Sequence, residues 1–327
     1  AENGSAAMLQ DIYPGNRSSS PKQFTLVNEW NNDSIEKHLY FTAKDSNDGI
    51  ELWSLDLSTP GALAQRYVDI FSGPPSSDPR QLVNAEEQLY FSAFNEFNGR
   101  ELWTLERTND NSSDSDGNSN ESDGNSNGQD ANSLSTALIK DINSGPSSSN
   151  ASGLSLFQGI LLLSADNGKK GTELWQSQGS KTTTSLLKDI NPGVASSSPS
   201  GFTHFDRNLY FSADDGSTGL ELWRTDGTRE GTNQVVDLRP GSLSSSPTDL
   251  AVLNNRLLFG ANDGMTGSEL WGLTEGDTSP GLIRDINSNT GSNPQGLTAY
   301  KQRIYFSAED STYGRELWET DGTKDAD

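Results

Sequence analysis

Cysteine is missing altogether from this 327-residue chain, and histidine occurs only at His38 and His204. The first absence excludes a disulfide framework, a thiolate zinc site and thiol catalysis. The second leaves little material for an imidazole metal site or acid–base centre. Basic residues are also scarce: 23 Lys and Arg against 46 Asp and Glu leave a formal charge of −23. That excludes the basic footprint a nucleic-acid binder needs to neutralise phosphates. No run of 18 apolar residues occurs, so no membrane span is expected. Hydrophobic residues make up 31%, or about 41% with the 32 glycines, below the globular norm of roughly 45–50% on that count. Such a composition suits many short strands and polar turns. The chain opens AENGSAAM, without an initiator Met or a charged-then-apolar leader, and is expected to be a mature, trimmed or excised segment.

What is abundant is repetition. Six segments read alike: LYFTAKDSNDGIELW (39–53), LYFSAFNEFNGRELW (89–103), LLLSADNGKKGTELW (161–175), LYFSADDGSTGLELW (209–223), LLFGANDGMTGSELW (257–271) and IYFSAEDSTYGRELW (304–318). Their tryptophans, Trp53, Trp103, Trp175, Trp223, Trp271 and Trp318, are spaced by 50, 72, 48, 48 and 47 residues. A second signature alternates with the first: DIYPG at 11, DIFSG at 69, DINSG at 141, DINPG at 189, DLRPG at 237 and DINSN at 285. A polar low-complexity insertion over 107–136 accounts for the long spacing. Periods of 20–50 residues signal repeat architectures.

The fourth unit shows four strands inside the period: FTHF (202–205), NLYFSA (208–213), LELWRT (220–225) and QVVDL (234–238). They are rich in β-branched and aromatic residues and are separated by Gly- and Asp-rich turns. Helical periodicity is absent. The expectation is an all-β, six-bladed β-propeller with four antiparallel strands per blade, forming a single domain over 1–327. The blades fall at 22–72, 80–144, 152–192, 200–240, 248–288 and 295–323, the last completed by 8–13. The strand MLQDI (8–12) should close the ring by pairing in the last blade, which removes exposed edges. A β-solenoid is the alternative architecture.

With these motifs the chain resembles the bacterial ELWxxDGT-repeat proteins, over almost its full length apart from the insertion. ELW occurs in all six units, while the full motif stands only at 221–228 (ELWRTDGT) and 316–323 (ELWETDGT). The resemblance implies secreted or cell-surface propeller repeats with no assigned chemistry.

Strand alternation sorts the loops onto two faces and gathers the recurring carboxylates on one of them. Each c strand opens with Glu (Glu51, Glu101, Glu173, Glu221, Glu269, Glu316), and each d strand ends with Asp (Asp11, Asp69, Asp141, Asp189, Asp237, Asp285). The b–c loops add Asp214 and Asp263. Two readings follow. The carboxylates accept bonds from backbone N–H groups of the glycine-rich loops. Or they bind a hard cation, Ca²⁺, which takes 6–8 oxygen ligands. The insertion also holds D-x-N-x-N-G at Asp123, Asn125, Asn127 and Gly128, the start of an EF-hand-like loop, but Leu134 stands where the closing Glu belongs. The six ELW tryptophans are expected to pack between blades.

No nucleophile–base motif, HExxH or P-loop occurs. Catalytic carboxylates should be singular, whereas these recur sixfold. The expected function is therefore a non-catalytic extracellular or cell-surface module for binding, adhesion or assembly, stabilised by Ca²⁺. Its expected partners are a protein, a glycan or further copies of itself. The alternative is a carbohydrate-active propeller, lectin or glycoside hydrolase, using the unrepeated inner-strand residues Lys22, Asp78, His204, Asp206, Asn254 and Lys301.

Overall fold

The computed structural model describes residues 6–31, 34–46, 49–68, 70, 76–85, 88–107 and 134–324. The chain divides into two compact units, 1–148 and 149–327. The first unit holds two sheets. One orders β1 (Lys22–Asn31), β2 (Ser34–Lys44), β3 (Ile50–Asp56) and β4 (Gln65–Val68) in sequence; the other orders β5 (Arg80–Ala85), β6 (Gln88–Asn95), β7 (Gly99–Arg107) and β8 (Leu134–Lys140).

The second unit holds four sheets built the same way. The third sheet runs β9 (Ser152–Phe157), β10 (Ile160–Asp166), β11 (Thr172–Ser177), β12 (Ser185–Lys188). The fourth runs β13 (Ser200–Phe205), β14 (Asn208–Asp214), β15 (Leu220–Thr225), β16 (Asn233–Val236). The fifth runs β17 (Thr248–Leu253), β18 (Arg256–Asn262), β19 (Ser268–Thr274), β20 (Gly281–Arg284). The sixth has three strands, β21 (Gln295–Tyr300), β22 (Arg303–Asp310) and β23 (Gly314–Thr320). All pairings are antiparallel. Four-stranded antiparallel meanders of this kind are the building unit of β-propeller folds. Among the described residues no helix is long and apolar enough to cross a membrane.

The second strand of each sheet explains its own composition. In β10, β14 and β18 five consecutive residues are buried, so both faces are covered and the run is apolar rather than alternating. The tryptophans fill the space between sheets. Trp223 packs with Phe157, Leu162 and Leu174 of the preceding sheet, and in the first unit Trp103 packs with Val27, Tyr40 and Leu52. Their indoles find acceptors where the hairpin presents one: Trp53 donates to Ala43 O at 3.2 Å, Trp103 to Ala93 O at 3.1 Å and Trp318 to Ala308 O at 3.1 Å.

One expected element is not formed. Residues 8–12 are not a strand, and the sixth sheet has no fourth member. Within the first unit the segment lies against the first sheet. Gln10 Nε2 donates to Ala64 O at 3.1 Å, and Ile12 packs with Phe41, Ala43 and Trp53. Apolar contact, not ladder pairing, holds it there. The insertion's core (108–133), its EF-hand-like residues, and Asp69 lie outside the described residues.

Candidate functional site

Every fully developed repeat builds the same buried polar unit at one end of its sheet. The Glu opening the third strand turns inward, and the loop after the fourth strand wraps over it. In the fourth sheet, Glu221 is 0% exposed. Its carboxylate accepts Leu238 N at 3.1 Å, Ser245 N at 2.7 Å and Ser245 Oγ at 2.5 Å. Glu269 repeats this with Ile286 N at 2.9 Å, Ser292 N at 2.8 Å and Ser292 Oγ at 2.6 Å. Glu173 does so with Ile190 N at 2.7 Å, Ser197 N at 2.9 Å and Ser197 Oγ at 2.6 Å. In the first unit Glu101 accepts Ile142 N at 2.9 Å, and Glu51 accepts Ser77 N at 3.2 Å together with Ser77 Oγ. Glu316 is exposed, on β23, whose outer edge carries no further strand in its sheet.

The serine before each partner serine works in the opposite sense. Ser244 Oγ accepts Leu220 N at 2.9 Å, Ser196 Oγ accepts Thr172 N at 2.9 Å, and Ser148 Oγ accepts Arg100 N at 2.9 Å. The recurring SS pair thus supplies one acceptor and one donor. Burial pushes the Glu173 and Glu221 carboxyls above the ordinary range, opposed by the serine and amide bonds.

The aspartates are placed differently. Asp141 Oδ2 accepts Gly145 N at 3.0 Å and Asn98 Nδ2 at 3.2 Å; Asp237 Oδ2 accepts Gly241 N at 3.2 Å; Asp11 Oδ2 accepts Gly15 N at 3.3 Å. Asp189 is ion-paired with Lys170. Asp285 is exposed. Asp214 Oδ1 accepts Gly216 N at 2.7 Å, and Asp263 Oδ1 accepts Met265 N at 2.9 Å and Thr266 N at 2.8 Å. These are turn-closing bonds. Acceptor capacity remains on the buried Oδ1 atoms of Asp141, Asp189 and Asp237, which have no hydrogen-bond partner among the described residues. Among the described residues no group of three or more His, Asp or Glu side chains is placed to hold a metal ion.

Two features outside the repeat were not legible in the sequence. The long first hairpin sets Glu29 directly opposite Glu36. Buried Glu29 accepts Tyr40 Oη at 2.6 Å, and His38 Nε2 lies 3.4 Å from Glu36 Oε2 and 3.9 Å from Glu29 Oε2. Burial, reinforced by Glu29, pushes the Tyr40 phenol far above its ordinary range. The unusual hairpin length was the available signal. In the second unit His204 Nε2 lies 3.4 Å from Ser155 Oγ, longer than the roughly 2.6–3.2 Å of an activated nucleophile.

No protein-family profile matches the chain, and no curated protein is significantly similar to it. Solved structures do share its fold. One of two prolyl endopeptidases analysed for the role of inter-domain dynamics in catalysis and specificity matches at 13% identity and a TM-score of 0.55, over 100% of this chain and 44% of its own. A puromycin-hydrolysing peptidase of Mycobacterium tuberculosis matches at 12% identity and a TM-score of 0.52, over 94% of this chain and 44% of its own. The β-propeller domain of the Trilobed protease of Pyrococcus furiosus, described as having an open velcro topology, matches at 10% identity and a TM-score of 0.45, over 92% of each chain. This chain spans less than half the length of the first two.

These neighbours correct the expectation of a non-catalytic binding or adhesion module. The two longer proteins described above, which share the fold at 12–13% identity, are peptidases. Sixfold recurrence of the carboxylates was the ground for excluding an enzyme, but the Glu residues are occupied as loop anchors. Their recurrence therefore carries no information about catalysis.

Proposed function

We propose that this chain is the propeller part of a peptidase and acts together with a hydrolytic part outside these 327 residues. The carrying observation is the extent of the likeness. It runs over 94–100% of this chain and only 44% of the two peptidases. On this reading the propeller moves against its hydrolytic partner and helps decide which peptides are cut, as inter-domain dynamics does in the prolyl endopeptidases. The resemblance to ELWxxDGT repeats supports a location outside the cytoplasm, which fractionation of the source cells would test. The activity test uses the native gene product with fluorogenic prolyl peptides and puromycin as substrates. Hydrolysis is expected. Its absence from a product no longer than this chain would overturn the reading.

We further propose six blades closed into a ring, with residues 8–12 as the missing fourth strand of the sixth sheet. Three observations support this. The β23 edge is unpaired in its sheet. Leu317 on β23 is 78% exposed, whereas its counterpart Leu174 is 0% exposed. Leu9, counterpart of the buried Leu187, is 82% exposed on a segment lacking a ladder partner. Amide exchange of residues 316–320 should be slow in the parent chain and fast after Leu9→Asp. Equal exchange in both would exclude closure by this segment.

A further inference from the structure

Two positions of the loop entering each sheet carry charge in one repeat only. At the third residue of the D-I signature the six repeats read Tyr13, Phe71, Asn143, Asn191, Arg239 and Asn287. At the second residue of the first strand they read Gln23, Gln81, Gly153, Gly201, Asp249 and Gly296. The scaffold's demand at each position is visible in the uncharged copies. Asn143 Nδ2 closes its loop on Ser148 O at 3.1 Å, and Asn191 Nδ2 does so on Ser196 O at 3.4 Å. Arg239 Nη1 makes the same reach to Ser244 O at 3.5 Å. The second position is left-handed in every copy, with φ of 57°, 57°, 64°, 71°, 52° and 68° in chain order. Glycine meets that demand without strain. The guanidinium and the carboxylate are therefore more than the fold requires.

Both line one polar groove of about 640 Å³ within the second unit, together with Thr248, Asn262, Asn293 and Gln295. Among the described residues Arg239 and Asp249 form no ion pair, with each other or elsewhere. Gly264 leaves space for the arginine: a Cβ there would stand 3.2 Å from Arg239 Cγ and Nε. One guanidinium in a chain of net charge −23 suits a single carboxylate and not a polyanion.

We propose that this groove binds a short peptide with free ends, its carboxylate on Arg239 and its ammonium on Asp249. A guanidinium fork matches a carboxylate in two parallel bonds. Asn262, whose Oδ1 accepts Gly264 N at 2.7 Å, and Gln295 line the same groove, where their amide N–H groups would meet the peptide's carbonyls. The choice of a peptide over another zwitterion rests on the peptidase reading; the opposed charges do not.

The test titrates the full chain with Ala-Pro-Ala, its N-acetyl form, its C-terminal amide, and acetate, following binding by NMR and calorimetry. Arg239→Asn and Asp249→Gly are the variants, each borrowing the residue that sibling repeats use, with thermal melting to confirm folding. Loss of the carboxylate, or Arg239→Asn, should weaken binding about tenfold or more, as should acetylation or Asp249→Gly. The amide should bind Arg239→Asn no worse than the parent. The proposal is overturned if all three peptides bind alike, if both variants bind as the parent does, or if the free peptide fails to bind at about 10 mM, where millimolar affinity would register. Acetate binding as tightly as the peptide would overturn the peptide occupant and leave an anion site. The peptidase reading fails separately, by lack of hydrolysis in the native gene product.

Discussion

Ser245 Oγ donates to the Glu221 carboxylate at 2.5 Å across 24 residues of chain, and Ser245 N donates to the same group at 2.7 Å. Glu221→Ala would leave two buried N–H groups and a hydroxyl without an acceptor. Losing charge-assisted bonds in a buried site is expected to cost about 3–5 kcal/mol. Urea unfolding followed by tryptophan fluorescence measures it. Glu221→Gln keeps the shape and one acceptor, and should cost less than half as much.

Stability should rise on mild acidification. The Glu173 and Glu221 carboxyls are held above the ordinary value of 4.5 by burial, so the folded chain binds their protons more readily than the unfolded one. Their contribution is fully present below that value and is lost as pH rises through the elevated one. Asp215 and Asp263, lowered by turn amides against the opposing effect of burial, contribute above 3.8 and lose that contribution as pH falls through their depressed values. The melting temperature should thus climb as pH falls through the elevated glutamate values towards 4.5, and drop as it falls below 3.8 through the depressed aspartate values. A Glu173→Gln, Glu221→Gln double variant should flatten the upper limb. An unchanged upper limb in that variant would remove the two glutamates as its source.

Glycine tolerance should follow local space. Gly219 has φ +75°, and a Cβ there would meet Ser244 N at 2.8 Å; Gly241 has φ +104° with nothing within 4 Å. Alanine at Gly241 carries the left-handed penalty alone, roughly 1–2 kcal/mol. Alanine at Gly219, between β14 and β15, adds a clash with the backbone of Ser244 in the loop after β16. Gly219→Ala should therefore lower the melting temperature more than Gly241→Ala.

The strands were legible because ELW and the SA runs recur with the composition that two-sided burial demands. The role of the recurring glutamates was half legible. Their residue type and shared end of the sheet could be read, and backbone amides were named among their partners. The serine hydroxyl was not visible, because a partner 24 residues away in a low-complexity SSS run leaves no local pattern. The Glu29–Tyr40 contact was hidden for the opposite reason: it occurs once, so no repetition pointed to it. A strand over 8–12 was expected from what the sixth repeat lacks, whereas the contacts of Gln10 and Ile12 with the first sheet leave no pattern in the sequence.

Removing calcium with EDTA should move the melting temperature by less than about 1 °C, since ~1 kcal/mol shifts a domain of 150–250 residues by only 2–4 °C. The buried third-strand glutamates already accept two or more N–H or O–H bonds each, so an ion would have to displace donors that hold the loops. A larger drop, reversed by Ca²⁺, would assign an ion to the Oδ1 atoms of Asp141, Asp189 and Asp237.

Each anchor joins two pieces of the same repeat and sits at one end of its sheet. The opposite end is free of it. Register between β7 and β8 continues out to Arg107 opposite Leu134, with 26 residues of sequence intervening. Extra chain can therefore be spliced in at that end while the buried Glu101 carboxylate keeps its bond from Ile142 N. Growth in length and constancy of framework are assigned to opposite poles of one small sheet.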